Sequence, residues 1–201
     1  LMRSSAASDV YKRQAYEYGI DAIIVQDLGL ARYMIKNFPG LAVHASTQMS
    51  VHNLEGVLTL QNMGFSRVVL SRELSIQEIE HICKNSNVEI EAFVHGALCI
   101  SYSGQCLFSS MVGGRSGNRG KCAQPCRLPY ELLENDTTID KGYLLSPRDL
   151  CGLEYLPQLV KAGVTCLKIE GRMKKPEYVA TVTRIYRKSV SYTHLTLPTI
   201  A

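Results

Sequence analysis

The chain has 201 residues, 46% of them hydrophobic and 20% charged, with a formal net charge of +4. That length and balance support one domain with a sizeable core and exclude a disordered chain. No apolar run approaches the ~20 residues of a membrane-spanning helix and the N-terminus lacks the apolar segment of a secretory signal, so no membrane association is expected and cytoplasm is the default compartment.

Residues 1–14 and 189–201 share no amphipathic period with what they adjoin and resemble translated adaptor sequence, so both are expected to be non-native tails around a domain at 15–188. The first tail holds Arg3, Lys12 and Arg13 against Asp9, so setting it aside lowers the net charge to +2. A balance that small attracts nucleic acid only through local basic patches.

In chain order, Asp21 to Gln26 is a short apolar run bounded by Gly19 and Asp27, which predicts a strand buried on both faces. A helix follows, stopped by Pro39 and Gly40. Leu41 to Thr47 reads as the second strand, followed by a helix capped by Asn53 and closed by Gly64. Arg67 to Glu73 is the third strand, and the next helix opens with Ser75 and Glu78 in capping-box spacing. Asn87 to Gly96 is the fourth strand.

A Cys-rich loop over residues 97–130 comes next. LPYELLEN and GYLLS then read as a hairpin or as two short extended pieces, and Pro147 and Asp149 lead into a helix beginning near Cys151. Thr165 to Gly171 is the fifth strand, and Pro176 starts the last helix. Strands alternating with helices predict right-handed βαβ units and a parallel sheet. The fold expected is α/β, an incomplete (β/α)8 TIM-type barrel of about five parallel strands with a Cys-rich loop insertion. A doubly wound open sheet is the alternative, but Gly113, Gly114, Gly117 and Gly120 do not follow a strand in dinucleotide-binding spacing.

In such folds function gathers at the C-terminal ends of strands. Those ends carry Gln26 and Asp27, then His44, Ser46, Thr47 and Gln48, then Ser71, Arg72 and Glu73, then His95, and finally Lys168, Glu170 and Arg172. His44, His95 and Glu170 are candidate general acids or bases, Glu170 if burial raises its pKa. Gln26, Gln48, Arg72, Lys168 and Arg172 are candidate substrate-binding groups, the arginines suited to a carboxylate or phosphate, with Arg115 or Arg119 as further candidates. Each residue also has a structural reading: Asp27 and Ser46 as caps, Arg72 with Glu73 as a solvated pair, Lys168 with Glu170 as a pair on one strand face.

Seven cysteines in a chain of this class read as ligands or buried apolar residues. Cys99, Cys106, Cys122 and Cys126 are separated by six, fifteen and three residues, and they converge only if the intervening loop folds back. Of these, Cys122 and Cys126 alone have the close spacing of a zinc pair, whereas iron–sulfur clusters tolerate wider spacing and draw N–H groups from Gly- and Ser-rich loops. An iron–sulfur cluster is therefore favoured, with zinc as the alternative and Cys151 as an alternative to Cys126. Cys83 and Cys166 read as core residues. A cysteine-peptidase reading would pair one thiolate with His95 or His44, but several crowded thiols argue against it.

EAFVHGALC at Glu91 to Cys99, followed by GQCLFS, resembles the signature of the collagenase-like peptidases of unassigned catalytic type, class U family thirty-two. HASTQ, GKCAQPCR, SPRDLC and KIEGRMK are similar to further blocks of that family in the same order, and the resemblance spans Ala15 to Lys188. It implies a longer parent protein. Some members are called peptidases, whereas others hydroxylate RNA, at a tRNA wobble uridine with prephenate as donor or at a ribosomal RNA cytidine. Still others are paired subunits of an oxygen-independent quinone hydroxylase holding a 4Fe-4S cluster. The resemblance implies Cys99, Cys106 and Cys122 as ligands, with Cys126 or Cys151 the fourth. The QPCR block looks like the RNA-modifying branch, so the function expected is RNA hydroxylation, with tRNA or rRNA and a small dicarboxylate as partners. A peptidase, or a partner subunit, is the alternative.

Overall fold

The computed structural model describes residues 13–171 and 174–196, and Arg172 lies outside the described residues. Residues 13–17 are helical. Thereafter come β1 (Ala22–Val25), α1 (Leu28–Asn37), β2 (Ala42–Ala45), α2 (Leu54–Asn62), β3 (Arg67–Val69), α3 (Ile76–Asn85) and β4 (Glu89–Gly96). The Cys-rich loop contains α4 (Phe108–Gly113) and leads to a hairpin of β5 (Tyr130–Glu134) and β6 (Thr137–Gly142). β7 (Leu150–Cys151), α5 (Leu156–Ala162), β8 (Cys166–Ile169) and α6 (Pro176–Thr196) follow. The last helix runs without a break through residues 189–196.

Local chemistry sets the helix ends. Asp27 accepts from the Leu30 N–H at 2.6 Å, and Asn53 from that of Gly56 at 2.8 Å. Ser75 and Glu78 form the expected capping box. Gly64 closes α2 with φ of +97°, a conformation in which a Cβ would be strained.

Five strands are parallel and lie in the order β1, β2, β3, β4, β8, as expected. Among the described residues strand order does not reverse, so they hold no switch point of the kind a doubly wound sheet has. A sheet of consecutive βαβ units is what a partial barrel requires. Val43, Ala45, Val68, Ile90 and Ala92 point to one face, where they pack against Met34, Val57, Leu60, Ile79, Ile82 and Leu156 in a single cluster. Each buried Val, Ile, Leu or Met side chain there contributes about 1.5–3 kcal/mol relative to staying in water.

The opposite face is polar. His44 pairs across the ladder with Arg67, Arg67 with Glu89, Glu91 with Cys166 and Phe93 with Lys168. Arg67 binds Glu89 at 2.7 Å and Glu91 at 3.5 Å, and Lys168 binds Glu91 at 2.8 Å. Glu91 is only 5% exposed, so these cations hold a buried carboxylate. Burial pushes Glu91 up, but the hydrogen bond and charge of Lys168 hold it below the ordinary value. Burial, with Arg67 beside it, pushes His44 down.

Three expectations need correction. Lys168 pairs with Glu91 rather than Glu170, because the neighbouring strand supplies a carboxylate at hydrogen-bond distance. Cys166 lies on the polar face, where Arg67 Nη1 approaches its sulfur at 3.5 Å, whereas Cys83 does pack on the apolar cluster, with burial pushing its thiol up to about 11. Cys151 sits in β7, antiparallel to the end of β4, and not at a helix start. The α5 helix begins after it, with proline in its first turn.

Candidate functional site

The strand ends and the Cys-rich loop enclose a cavity of roughly 230 Å³. Cys99, Cys106, Cys122 and Cys126 all line it. Gln48, Arg72, Lys168 and Glu170 line it from three strand ends. Thus four thiols and four of the expected binding and catalytic groups share one site.

Arg72 is the centre of the rim. Its guanidinium lies 3.9 Å from the centroid of the Phe93 ring, with Nη2 3.8 Å from Glu170 Oε2 and Nη1 4.0 Å from Cys99 Sγ. It does not pair with Glu73, whose carboxylate accepts from the Ser103 backbone N–H at 2.7 Å instead. Arg72 Nε and Gln48 Oε1 are both buried without a hydrogen-bond partner. A buried donor and a buried acceptor left unmatched beside one cavity mark places where a ligand completes the bonding.

The thiols influence one another. Burial pushes Cys99 up, Arg72 pulls it back, and the neighbouring Cys106 and Cys122 raise it again. Burial likewise pushes Cys126 up, and Arg127 opposes this while Cys122, Cys99 and Cys106 add to it. The backbone N–H of Gln124 donates to Cys122 Sγ at 3.3 Å. Among the described residues, no three His, Cys, Asp or Glu side chains already surround a single metal point.

Several expected residues are not brought to this cavity. Gln26 is exposed at the end of β1, and His44 lies on the polar sheet face. His95 faces α6: its Nδ1 is 3.2 Å from the Tyr186 hydroxyl, which donates to the Val94 carbonyl at 2.8 Å. The cause is a register shift between Phe93 and His95, which pairs Phe93 with Lys168 but His95 with Ile169 and turns the imidazole away from the face that strict alternation assigns it. Cys151 stands beside Tyr186, whose hydroxyl is pushed up to about 12 by burial and by that thiol. Cys126, not Cys151, lines the cavity. Arg115 donates to the Lys121 carbonyl at 3.0 Å, within the loop.

One residue escaped the sequence reading. Arg127 donates to the Leu98 carbonyl and the Ser146 hydroxyl, both at 3.0 Å, and to the Pro147 carbonyl, and it pairs with Asp149 at 3.2 Å. It ties the end of β4, the last cysteine turn and the segment before β7 together. The visible signal was its place directly after Cys126, with Asp149 downstream in the SPRD run.

The model of the family described as Peptidase family U32 matches residues 4–194. The chain belongs to that family. Among relatives of this U32 chain, the 23S rRNA 5-hydroxycytidine C2501 synthase of Escherichia coli (strain K12) is 43% identical over 175 residues, 86% of this chain and 26% of that protein. The tRNA hydroxylation protein P1 of Bacillus subtilis (strain 168) is 39% identical over 188 residues, 90% of this chain and 44% of that protein. A protein named collagenase, from Porphyromonas gingivalis (strain ATCC BAA-308 / W83), is 39% identical over 186 residues, 85% of this chain and 44% of that protein. The chain thus spans less than half the length of these relatives. Among the described residues no helix is long and apolar enough to cross a membrane.

Proposed function

We propose that this chain supplies the cluster-binding half-site of an RNA hydroxylase acting on a tRNA or rRNA base, working in the cytoplasm. The observation that carries the reading is the convergence of Cys99, Cys106, Cys122 and Cys126 on one cavity that also holds Arg72 and Lys168. Relatives named for tRNA hydroxylation and for rRNA cytidine synthesis support RNA as the substrate.

The donor set fits an iron–sulfur cluster. Burial and the neighbouring thiols push Cys99 and Cys126 up, a penalty that coordination to iron would relieve, and a backbone N–H already points at Cys122 Sγ. Four thiols lining one cavity, of which only Cys122 and Cys126 are closely spaced in sequence, suit a cluster better than a lone zinc with every ligand ~2.3 Å from one centre.

When bound, a 4Fe-4S cluster supplies electron-transfer or Lewis-acid chemistry. Cys99, Cys106, Cys122 and Cys126 would hold it. Arg72 and Lys168 would orient a small dicarboxylate such as prephenate, with the unmatched Arg72 Nε as donor. Gln48 Oε1 would accept from the substrate. Glu170, beside Arg72, would hold or release a proton at its carboxylate. Arg127, which also lines the cavity, would position the last cysteine turn.

A cysteine-peptidase mechanism finds no support here, because among the described residues no histidine lines the thiol cavity to act as base. The test is anaerobic purification of the full-length protein, followed by iron analysis and absorption spectroscopy. A brown protein that loses iron on Cys→Ser replacement at 99, 106, 122 or 126, and keeps it in Cys151→Ser, is the expected result. A colourless, iron-free wild type, or loss on Cys151→Ser alone, would contradict the assignment.

A further inference from the structure

A second cavity, of roughly 540 Å³, lies beside the thiol cavity. Tyr102 lines both. From its lining we infer that this cavity binds one unstacked RNA base carrying an exocyclic amino group, cytosine or adenine, next to the base being modified. The inference rests on the RNA reading and adds a base-selective subsite to it.

The volume lies within the ~300–1,000 Å³ range of small-ligand sites. Ser71 is 6% exposed, lines the cavity, and its hydroxyl has no hydrogen-bond partner. A buried hydroxyl without a partner calls for a polar ligand.

The charge of the lining selects the class. Glu73 and Glu78 line it, and among the described residues neither lysine nor arginine does. Phosphate is repelled from such a lining, so the base enters and the backbone stays outside. Acceptors predominate: the two carboxylates are joined by His52, whose Nδ1 lies 2.8 Å from the Ser50 carbonyl. A carbonyl only accepts, so Nδ1 carries a proton and donates to it, and in that tautomer Nε2 is an acceptor. An acceptor-rich pocket favours a base with an amino group over uracil.

Tyr102, 74% exposed on the shared wall, offers a ring for stacking, with Leu74 as the apolar surface within. That wall is rigid. Ser50, in the left-handed region at φ of 56°, donates to the Ser103 carbonyl at 2.7 Å and accepts from Gln105 Nε2 at 2.7 Å. Ser103 in turn donates to Glu73 from both its backbone and its hydroxyl. Stacking and flanking-base contacts of this kind set sequence context in enzymes that act on an extruded base.

The experiment measures binding of the full-length protein to fluorescent single-stranded RNA by anisotropy, and to free cytidine, adenosine and uridine by ligand-observed NMR. Wild type is expected to bind cytidine or adenosine more tightly than uridine. Tyr102→Ala is expected to weaken binding to cytidine- or adenosine-containing RNA about tenfold, and Ser71→Ala several-fold, while Tyr102→Phe stays near wild type. RNA binding that both alanine variants leave unchanged would overturn the subsite and leave the RNA reading intact. Uridine binding as tight as cytidine and adenosine, or displacement of the nucleoside by lysine amide, would also overturn it. A wild type that binds neither RNA nor nucleosides would overturn both readings.

Discussion

Replacing Lys168 by Met should destabilise the protein more than replacing Glu91 by Gln, although the two side chains form one ion pair at 2.8 Å. The asymmetry follows from exposure. The Glu91 side chain is 7% exposed and cannot reach water, whereas those of Lys168 and Arg67 are 28% and 25% exposed and can hydrate when unpaired. Removing one partner of a fully buried pair costs about 3–5 kcal/mol. Arg67 remains 3.5 Å from Glu91 after loss of Lys168, which reduces the cost to about 2 kcal/mol. Glu91→Gln keeps the shape and strands no buried charge, so its cost is about 1 kcal/mol. Thermal unfolding of the full-length protein should then show Tm losses of about 4–8 °C for Lys168→Met and about 2–4 °C for Glu91→Gln. The pH dependence gives a second reading. Because Glu91 is held below its ordinary value of 4.5, its contribution is complete above that value and is lost as pH falls through the lower folded one. The gap between wild type and Glu91→Gln should therefore narrow in acid. A larger loss for Glu91→Gln, or a gap that widens as pH falls, would refute the reasoning.

Arg72→Met should slow alkylation of Cys99 in cluster-free protein at fixed pH, because Arg72 is the cation that opposes the upward push of burial on that thiol; peptide mapping of iodoacetamide adducts reads this directly, and unchanged labelling would remove Arg72 from the thiol environment. Gly96→Ala should lower the Tm by more than about 4 °C, since Gly96 has φ of +106° and a Cβ there would overlap the backbone carbonyl of Glu170. Gly113→Ala, with no atom within 4 Å of a new Cβ, should be neutral or slightly stabilising in the same melt.

Features fixed by short-range chemistry were legible in the sequence. The Asn53 cap, the Ser75 and Glu78 capping box and the Gly64 stop are local, and each stands where its residue types place it. The order of five parallel strands followed from their alternation with helices. Features set by pairing between distant segments were not legible. The return strand of the hairpin is Thr137–Gly142 and not the GYLLS run, because Asn135 and Asp136, both at positive φ, make a tight turn earlier than expected. A bulge removed His95 from the site, and cross-strand register gave Lys168 to Glu91. Cysteine spacing pointed to convergence, but only the folded loop shows that Cys126, and not Cys151, lines the cavity.

The most direct test of the account is mass spectrometry of tRNA and rRNA nucleosides from a strain lacking the gene, complemented with wild type or with Cys122→Ser. The account predicts that one hydroxylated pyrimidine disappears in the deletion, returns with wild type and stays absent with Cys122→Ser. A nucleoside profile unchanged by the deletion, or fully restored by Cys122→Ser, would contradict it.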